Sequence, residues 1–263
     1  MKNVLVLIHD DSGQEARLQA ALDATRALKG HLNCLDVSPI VPVVADMTGV
    51  SGGAVLMELE RETEAEDAVR MRARLAGEDV PWTLTQVTGY FEQALEEAAT
   101  LADLIVVNRV CHILPLPDLR NLAASLVMRS GRPILAVPEE AQGFAVAGAA
   151  LIAWNGSHEA STALAAAVPL LSLAKSVTIV EIDESEIPVP AEEAAAYLSR
   201  HGIHAHVMRW PDGRVTEGLI ALAHASDWLV MGAFGHSRLC EALLGGVTRR
   251  LLRESPIPLL LAH

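Results

Sequence analysis

Gly232, Gly235, Gly245 and Gly246 are spaced to let a phosphate approach the backbone. The first pair stands where an apolar strand, Trp228-Leu229-Val230-Met231, must end. The second pair follows nine residues later, where a helix beginning near Val247 must start. The N–H groups of a first helical turn lack intrahelical acceptors and lie at the positive end of the helix dipole, so glycines at such a junction make a phosphate cradle. Glycines also punctuate ordinary turns. The surrounding elements must decide between the two.

The chain repeats itself. Ile8-His9-Asp10-Asp11-Ser12-Gly13-Gln14-Glu15-Ala16 lies on Ile152-Ala153-Trp154-Asn155-Gly156-Ser157-His158-Glu159-Ala160 without a gap. Ala102-Asp103-Leu104-Ile105-Val106-Val107 matches Ser226-Asp227-Trp228-Leu229-Val230-Met231, and Arg132-Pro133-Ile134-Leu135-Ala136-Val137 matches Ile257-Pro258-Leu259-Leu260-Leu261-Ala262. Three anchors in one order indicate a duplication, with domains at 1–141 and 146–263 and a linker from Pro138 to Gly148. Each half alternates strand and helix. In the second half the strands fall near 149–154, 176–182, 203–210, 227–232 and 258–262, and the helices near 158–173, 191–201, 214–225 and 246–254. Such alternation predicts an α/β fold, with a doubly wound parallel sheet in each of two tandem domains. Leu56 to Ala76 reads as a longer helix with a charged, solvated face.

Composition narrows the function. A net charge of −13, with 20 Lys and Arg against 33 Asp and Glu, repels a nucleic-acid backbone, and 3% aromatic residues give no stacking platform. The apolar runs are too short for membrane spans, and the expected location is the cytoplasm. Cys34, Cys111 and Cys240 are widely spaced and lack any CxxC pattern, so neither a disulfide framework nor a zinc ribbon is expected. His201, His204 and His206 cluster near a strand, but no neighbouring residue has the spacing to complete a tetrahedral zinc set.

Ligands of open parallel sheets bind beyond the carboxyl ends of the strands, where strand order reverses. In the second half that edge comprises Ala153-Trp154-Asn155-Gly156-Ser157, then Val180-Glu181-Ile182, then Met231 to Gly235. Asn155 is placed to hydrogen-bond a ribose hydroxyl, and backbone groups around Glu181 to meet an adenine edge. Ser157 also suits a helix N-cap. His236-Ser237-Arg238 follows the loop, where Arg238 could either reach an anion or pair with Glu241.

Met231-Gly232-Ala233-Phe234-Gly235-His236-Ser237-Arg238-Leu239, then Leu244-Gly245-Gly246-Val247-Thr248 and Pro258 before a terminal strand, closely resemble the universal stress proteins. Nucleotide-binding members of that family carry Gly-x2-Gly-x9-Gly-Ser/Thr. The resemblance covers the chain as a tandem pair, strongly from Ala149 to His263 and more loosely from Val4 to Val137. It implies an adenine-nucleotide α-hydrolase-like fold and pairing through terminal strands, which would make the halves an internal pseudo-dimer and also leaves room for a homodimer. It implies a stress-response role with ATP, ADP or AMP as ligand and Mg as a companion ion. Adenine and ribose would lie near Ala153, Trp154, Asn155, Val180, Glu181, Met231 and Gly232. The phosphates would meet Gly235, His236, Gly245, Gly246, Val247 and Thr248. Two departures stand out: Gly246 occupies the Ser/Thr position, for which Thr248 is the candidate substitute, and Asn155 replaces Asp.

The first half lacks the motif. Asn108 and Cys111 align with Gly232 and Gly235, and Arg120 and Asn121 with Gly245 and Gly246. Side chains there obstruct a phosphate, so this half is expected to hold no triphosphate, with Arg109 and Arg120 filling the crevice or binding another anion. No Walker lysine, G-x-S-x-G elbow or His-Glu-x-x-His is present, and catalysis is expected to be at most slow ATP hydrolysis. The expected function is a nucleotide-dependent regulatory or interaction module. The alternatives are a slow ATPase or phosphotransferase in the same crevice, or a nucleotide-free interaction scaffold.

Overall fold

Short apolar runs become strands buried on both faces. In the computed structural model, which describes residues 1–39, 68–110, 122–182, 187–210, 215–234 and 244–263, ten strands form one sheet. The first half contains β1 (Asn3–Ile8), α1 (Gln14–Leu28), β2 (His31–Pro39), α2 (helical over 68–75), β3 (Trp82–Gly89), α3 (Phe91–Ala99), β4 (Leu104–Asn108), α4 (Leu122–Ser130) and β5 (Ile134–Val137). The second half repeats the order with β6 (Ala149–Trp154), α5 (His158–Leu171), β7 (Ser176–Ile182), α6 (Ala191–Arg200), β8 (Ala205–Trp210), α7 (Val215–Ala223), β9 (Trp228–Gly232), α8 (Leu244–Glu254) and β10 (Leu259–Ala262). The remainder of the Leu56 to Ala76 helix expected from sequence lies outside the described residues.

The strand order is β3-β2-β1-β4-β5-β10-β9-β6-β7-β8. Within each half every pairing is parallel; the halves meet through antiparallel β5 and β10, with Leu260 opposite Leu135. The sequence therefore yields two copies of one arrangement, fused where their last strands pair. Strands β4, β5 and β10 are buried along their whole length, as the uninterrupted Val, Ile and Leu runs require, whereas β8 is half exposed along one edge.

Two core clusters lie on opposite faces of the sheet, and each draws residues from both halves. Residues 138–148 connect them without helix or strand. This connector is nonetheless tied down: the Phe144 amide donates to Asp23 Oδ2 at 2.9 Å, and the Phe144 ring meets the edge of Trp228 at 5.6 Å. An aromatic pair of this kind contributes about 1 kcal/mol beyond its burial.

Strand order reverses between β1 and β4 in the first half and between β6 and β9 in the second. These are the two crevices of the molecule. Among the described residues, no helix is long and apolar enough to cross a membrane, and no group of three or more His, Cys, Asp or Glu could hold a metal ion.

Candidate functional site

In the second half, β6 ends at Trp154 and the chain turns through Asn155 and Gly156 into α5. Ser157 Oγ accepts the Ala160 amide at 3.1 Å, and Asn155 Oδ1 accepts the Ser157 amide at 3.2 Å. These bonds satisfy first-turn donors and fix the helix start. Gly156 has φ +72, a left-handed turn residue beside Val189. The opposite wall is Gly232, which ends β9. A Cβ there would stand 2.5 Å from the Ala160 nitrogen and from the Glu159 carbonyl carbon. Gly232 thus permits close packing of strand on helix, independent of any ligand.

After Gly232 the chain passes Ala233, whose amide donates to Ala262 O at 2.9 Å and whose carbonyl accepts from His263 Nδ1 at 2.8 Å. Phe234 follows at φ +55, a left-handed conformation that costs a non-glycine residue roughly 1–2 kcal/mol. The turn is thereby bent away from the strand. Gly235 and His236 lie outside the described residues, as do Cys111, Arg120, Asn121, Arg238, Cys240 and Glu241.

Helix α8 starts at Leu244, two to three residues before the sequence suggests, because Gly245 and Gly246 belong to its first turn rather than to the preceding loop. The amides of Leu244 to Val247 are therefore the donors of that turn that lack an intrahelical acceptor. Among the described residues, a Cβ at Gly246 would meet nothing within 4 Å. Thr248 faces inward and is only 2% exposed. Its hydroxyl does not present itself at the surface as a direct replacement for the Ser or Thr missing at Gly246.

The other expected site residues contribute backbone rather than side chains. The Trp154 indole is buried and donates to Val189 O at 2.9 Å. Glu181 is also buried: one carboxylate oxygen accepts the Ala191 amide at 2.6 Å, where α6 begins, and the other accepts from Arg209 Nε at 2.8 Å. Ala153, Val180 and Met231 lie in the core on the opposite face of the sheet from Trp154. The structure brings the ends of β6, β7 and β9 side by side, with Trp154 opposite Glu181 and Ala153 opposite Met231.

The first-half crevice is filled. Arg17, which aligns with Ser161, is fully buried, and its guanidinium occupies the space between the ends of β1 and β4. Its Nε donates to Leu7 O at 2.7 Å, its Nη2 donates to His9 O at 3.2 Å and to Asp11 Oδ2 at 3.1 Å, and its Nη1 donates to Asp11 Oδ1 and to Asn108 Oδ1. Asn108 in turn donates from Nδ2 to Gly13 O at 3.2 Å. The planar fork of arginine suits this set of acceptors.

Sequence reasoning identified Asn108 but missed Arg17, since an arginine within an amphipathic helix reads as solvated. The available signal was the coincidence of three polar residues, Asp11, Arg17 and Asn108, at the ends of otherwise apolar elements. Arg109 does something different from filling the crevice. Its Nη1 donates to Leu252 O at 3.1 Å, in the last turns of α8 in the other half. Burial lowers the pKa of Arg109, and Glu140 and Glu139 oppose that shift. His9, beside the filled crevice, has its pKa lowered mainly by burial, against the pull of Asp11. Cys34 is a buried free thiol whose pKa burial pushes up to about 12.

The Universal stress protein family model matches residues 135–263. A search of curated proteins finds no match. Among solved structures, a universal stress protein from Archaeoglobus fulgidus DSM 4304 superposes with a TM-score of 0.75 at 15% identity, over 99% of this chain and 97% of that one. Proteins from Pseudomonas aeruginosa UCBPP-PA14 and PAO1 superpose with TM-scores of 0.57 and 0.58, each at 17% identity and over 99% of this chain and 92% of theirs. At these identities the likeness is one of fold, and it runs through both halves. Over residues 135–263 the chain belongs to the universal stress protein family, and over its full length it has the α/β fold of a tandem member.

Proposed function

We propose that the second half binds one adenine nucleotide and that its occupancy regulates assembly or partner binding, making the protein a stress-response regulatory module. The asymmetry between the two crevices carries this reading. One crevice has Ser161 and Gly232 at the positions of Arg17 and Asn108, and a helix whose first turn carries Gly245 and Gly246; in the other, Arg17, Asp11 and Asn108 occupy the corresponding space.

Adenine and ribose would meet the backbone at Ala153, Trp154, Val180, Glu181 and Met231 together with Asn155. Gly232 would lie close to the ribose, and the phosphates would meet Gly235, His236, Gly245, Gly246 and Val247, with the buried Thr248 behind them in the same turn. The carboxylate of Glu181 is committed to Ala191 and Arg209, which supports adenine recognition through main-chain groups instead. Mg would sit on the phosphates, with no carboxylate cage from the described residues. The domains run over 1–141 and 146–263, and the protein acts in the cytoplasm.

Titrating the full chain calorimetrically with ATP, ADP and AMP tests the proposal. Saturable binding of any of the three, at one site per chain, is expected. Indifference to all three would instead favour a nucleotide-free scaffold. Phosphate release from ATP with magnesium, lost when Gly246 is blocked, would establish a slow ATPase in this crevice.

A further inference from the structure

The first half is not sealed throughout. Beside the Arg17 cluster, at the carboxyl ends of β1 and β2 and against α2, is a cavity of about 370 Å³. This lies within the size range of small-molecule sites, about 300–1,000 Å³. Its charged wall residues are committed to protein partners. Arg74 pairs with Glu15 at 2.9 Å and with Glu78, Arg70 stands 4.0 Å from Asp10, and Asp36 Oδ2 accepts from Gln86 Nε2 at 3.3 Å. The wall therefore holds out no unpaired charge of either sign.

Its neutral polar side chains are the reverse. His9, Gln14 and Ser38 line the same cavity half-buried, and among the described residues none of the three makes a side-chain hydrogen bond. Burial lowers the pKa of His9 below its usual 6.5, so at neutral pH the imidazole is uncharged, with one nitrogen to donate and one to accept. The main chain adds to this set. The ladder of β2 with β1 stops at Asp36, opposite Ile8, whereas its ladder with β3 runs on to Pro39, so Val37 and Ser38 pass the cavity with no strand on the β1 side. Ile8 and Met71, both buried in the core on one face, give the cavity an apolar wall. A phosphate has no place beside it, because the Arg17 and Asn108 side chains fill the adjoining crevice.

We propose that this cavity is a second binding site, for a small uncharged amide with an apolar ring, the ring on Ile8 and Met71 and the amide among His9, Gln14 and Ser38. The site is independent of the nucleotide reading, since it uses other residues in the other half.

Nicotinamide is a suitable probe, with nicotinate and 3-(aminomethyl)pyridine carrying the same ring with a negative and a positive charge. Ligand-observed NMR titration of the full chain at neutral pH should show saturable binding of nicotinamide in the millimolar range or tighter, binding of both charged analogues at least about tenfold weaker, and no displacement of nicotinamide by AMP. The double variant Gln14→Leu with Ser38→Ala should weaken nicotinamide about tenfold, the worth of two neutral hydrogen bonds. Ser38→Trp, which fills the cavity from β2, should abolish its binding. If one of these variants does not fold, the other still decides. Absence of saturable nicotinamide binding, a charged analogue binding as well as nicotinamide, displacement by AMP, or indifference to a folded variant would each overturn the proposal.

Discussion

Removing the Arg17 guanidinium would leave Asp11, Asn108 and two strand-end carbonyls without their shared donor in a buried place. Breaking one side of a buried ion pair costs about 3–5 kcal/mol. Arg17→Ala should therefore lower the unfolding free energy by about that amount in urea titrations, whereas the solvated Arg129→Ala should change it by less than about 1 kcal/mol. Cys34 makes a pH-dependent prediction. Its thiol pKa is raised from 9.0 to about 12 in the folded chain, so the unfolded chain releases the proton first as pH rises. The stabilisation from the neutral buried thiol is complete below pH 9 and falls between pH 9 and about 12, by about 1.4 kcal/mol per unit. Cys34→Ala should flatten this alkaline slope, as read by denaturant unfolding at stepped pH. At this scale the sequence was least legible. Neither the turn of the Trp154 indole into the core nor the burial of Arg17 follows from periodicity, because both depend on which long-range neighbours arrive.

Elements were far more legible, because runs such as Leu104-Ile105-Val106-Val107 allow little besides a buried strand, and the alternation with Ala- and Leu-rich segments leaves only a parallel sheet. The second-half strands and helices fall within about three residues of their expected limits, with β8 starting at Ala205 rather than 203 and α8 at Leu244 rather than 246. The two glycines nearest the candidate site behave differently at this scale. Gly232→Ala forces a Cβ into the backbone of α5, which cannot yield as a side chain would, and should cost about 2 kcal/mol or more in thermal or urea unfolding. Gly246→Ser adds a Cβ with no described atom within 4 Å and should leave stability unchanged or raise it by about 0.5 kcal/mol. It also returns a hydroxyl to the first turn of α8. Under the proposed function, ATP affinity should rise about tenfold, the worth of one hydrogen bond to a charged group, in calorimetric titration.

Across the whole molecule, the duplication explains why one chain makes a ten-stranded sheet: β10 and β5 each supply an edge that the other covers. Each edge would otherwise be an open template for another chain. A fragment of residues 146–263 should therefore self-associate through β10 in light scattering, and adding a charge at Leu260, as in Leu260→Lys, should reduce that association. Arg109 adds a second tie by donating to the C-terminal part of α8, the helix whose first turn carries Gly245 and Gly246. The duplication was readable from three aligned anchors, but the filling of one crevice became visible only once β1, β4 and α1 were brought together. That asymmetry is the central claim, and stoichiometric nucleotide titration of the full chain beside Gly246→Asp tests it most directly. The substitution sets a carboxylate in the first turn of α8, where no described atom lies within 4 Å of the added Cβ, so under the proposed function the melting temperature should hold while phosphate is repelled. The account predicts one nucleotide per chain in the parent and none in Gly246→Asp; two per chain, none in the parent, or unchanged binding in the variant would contradict it.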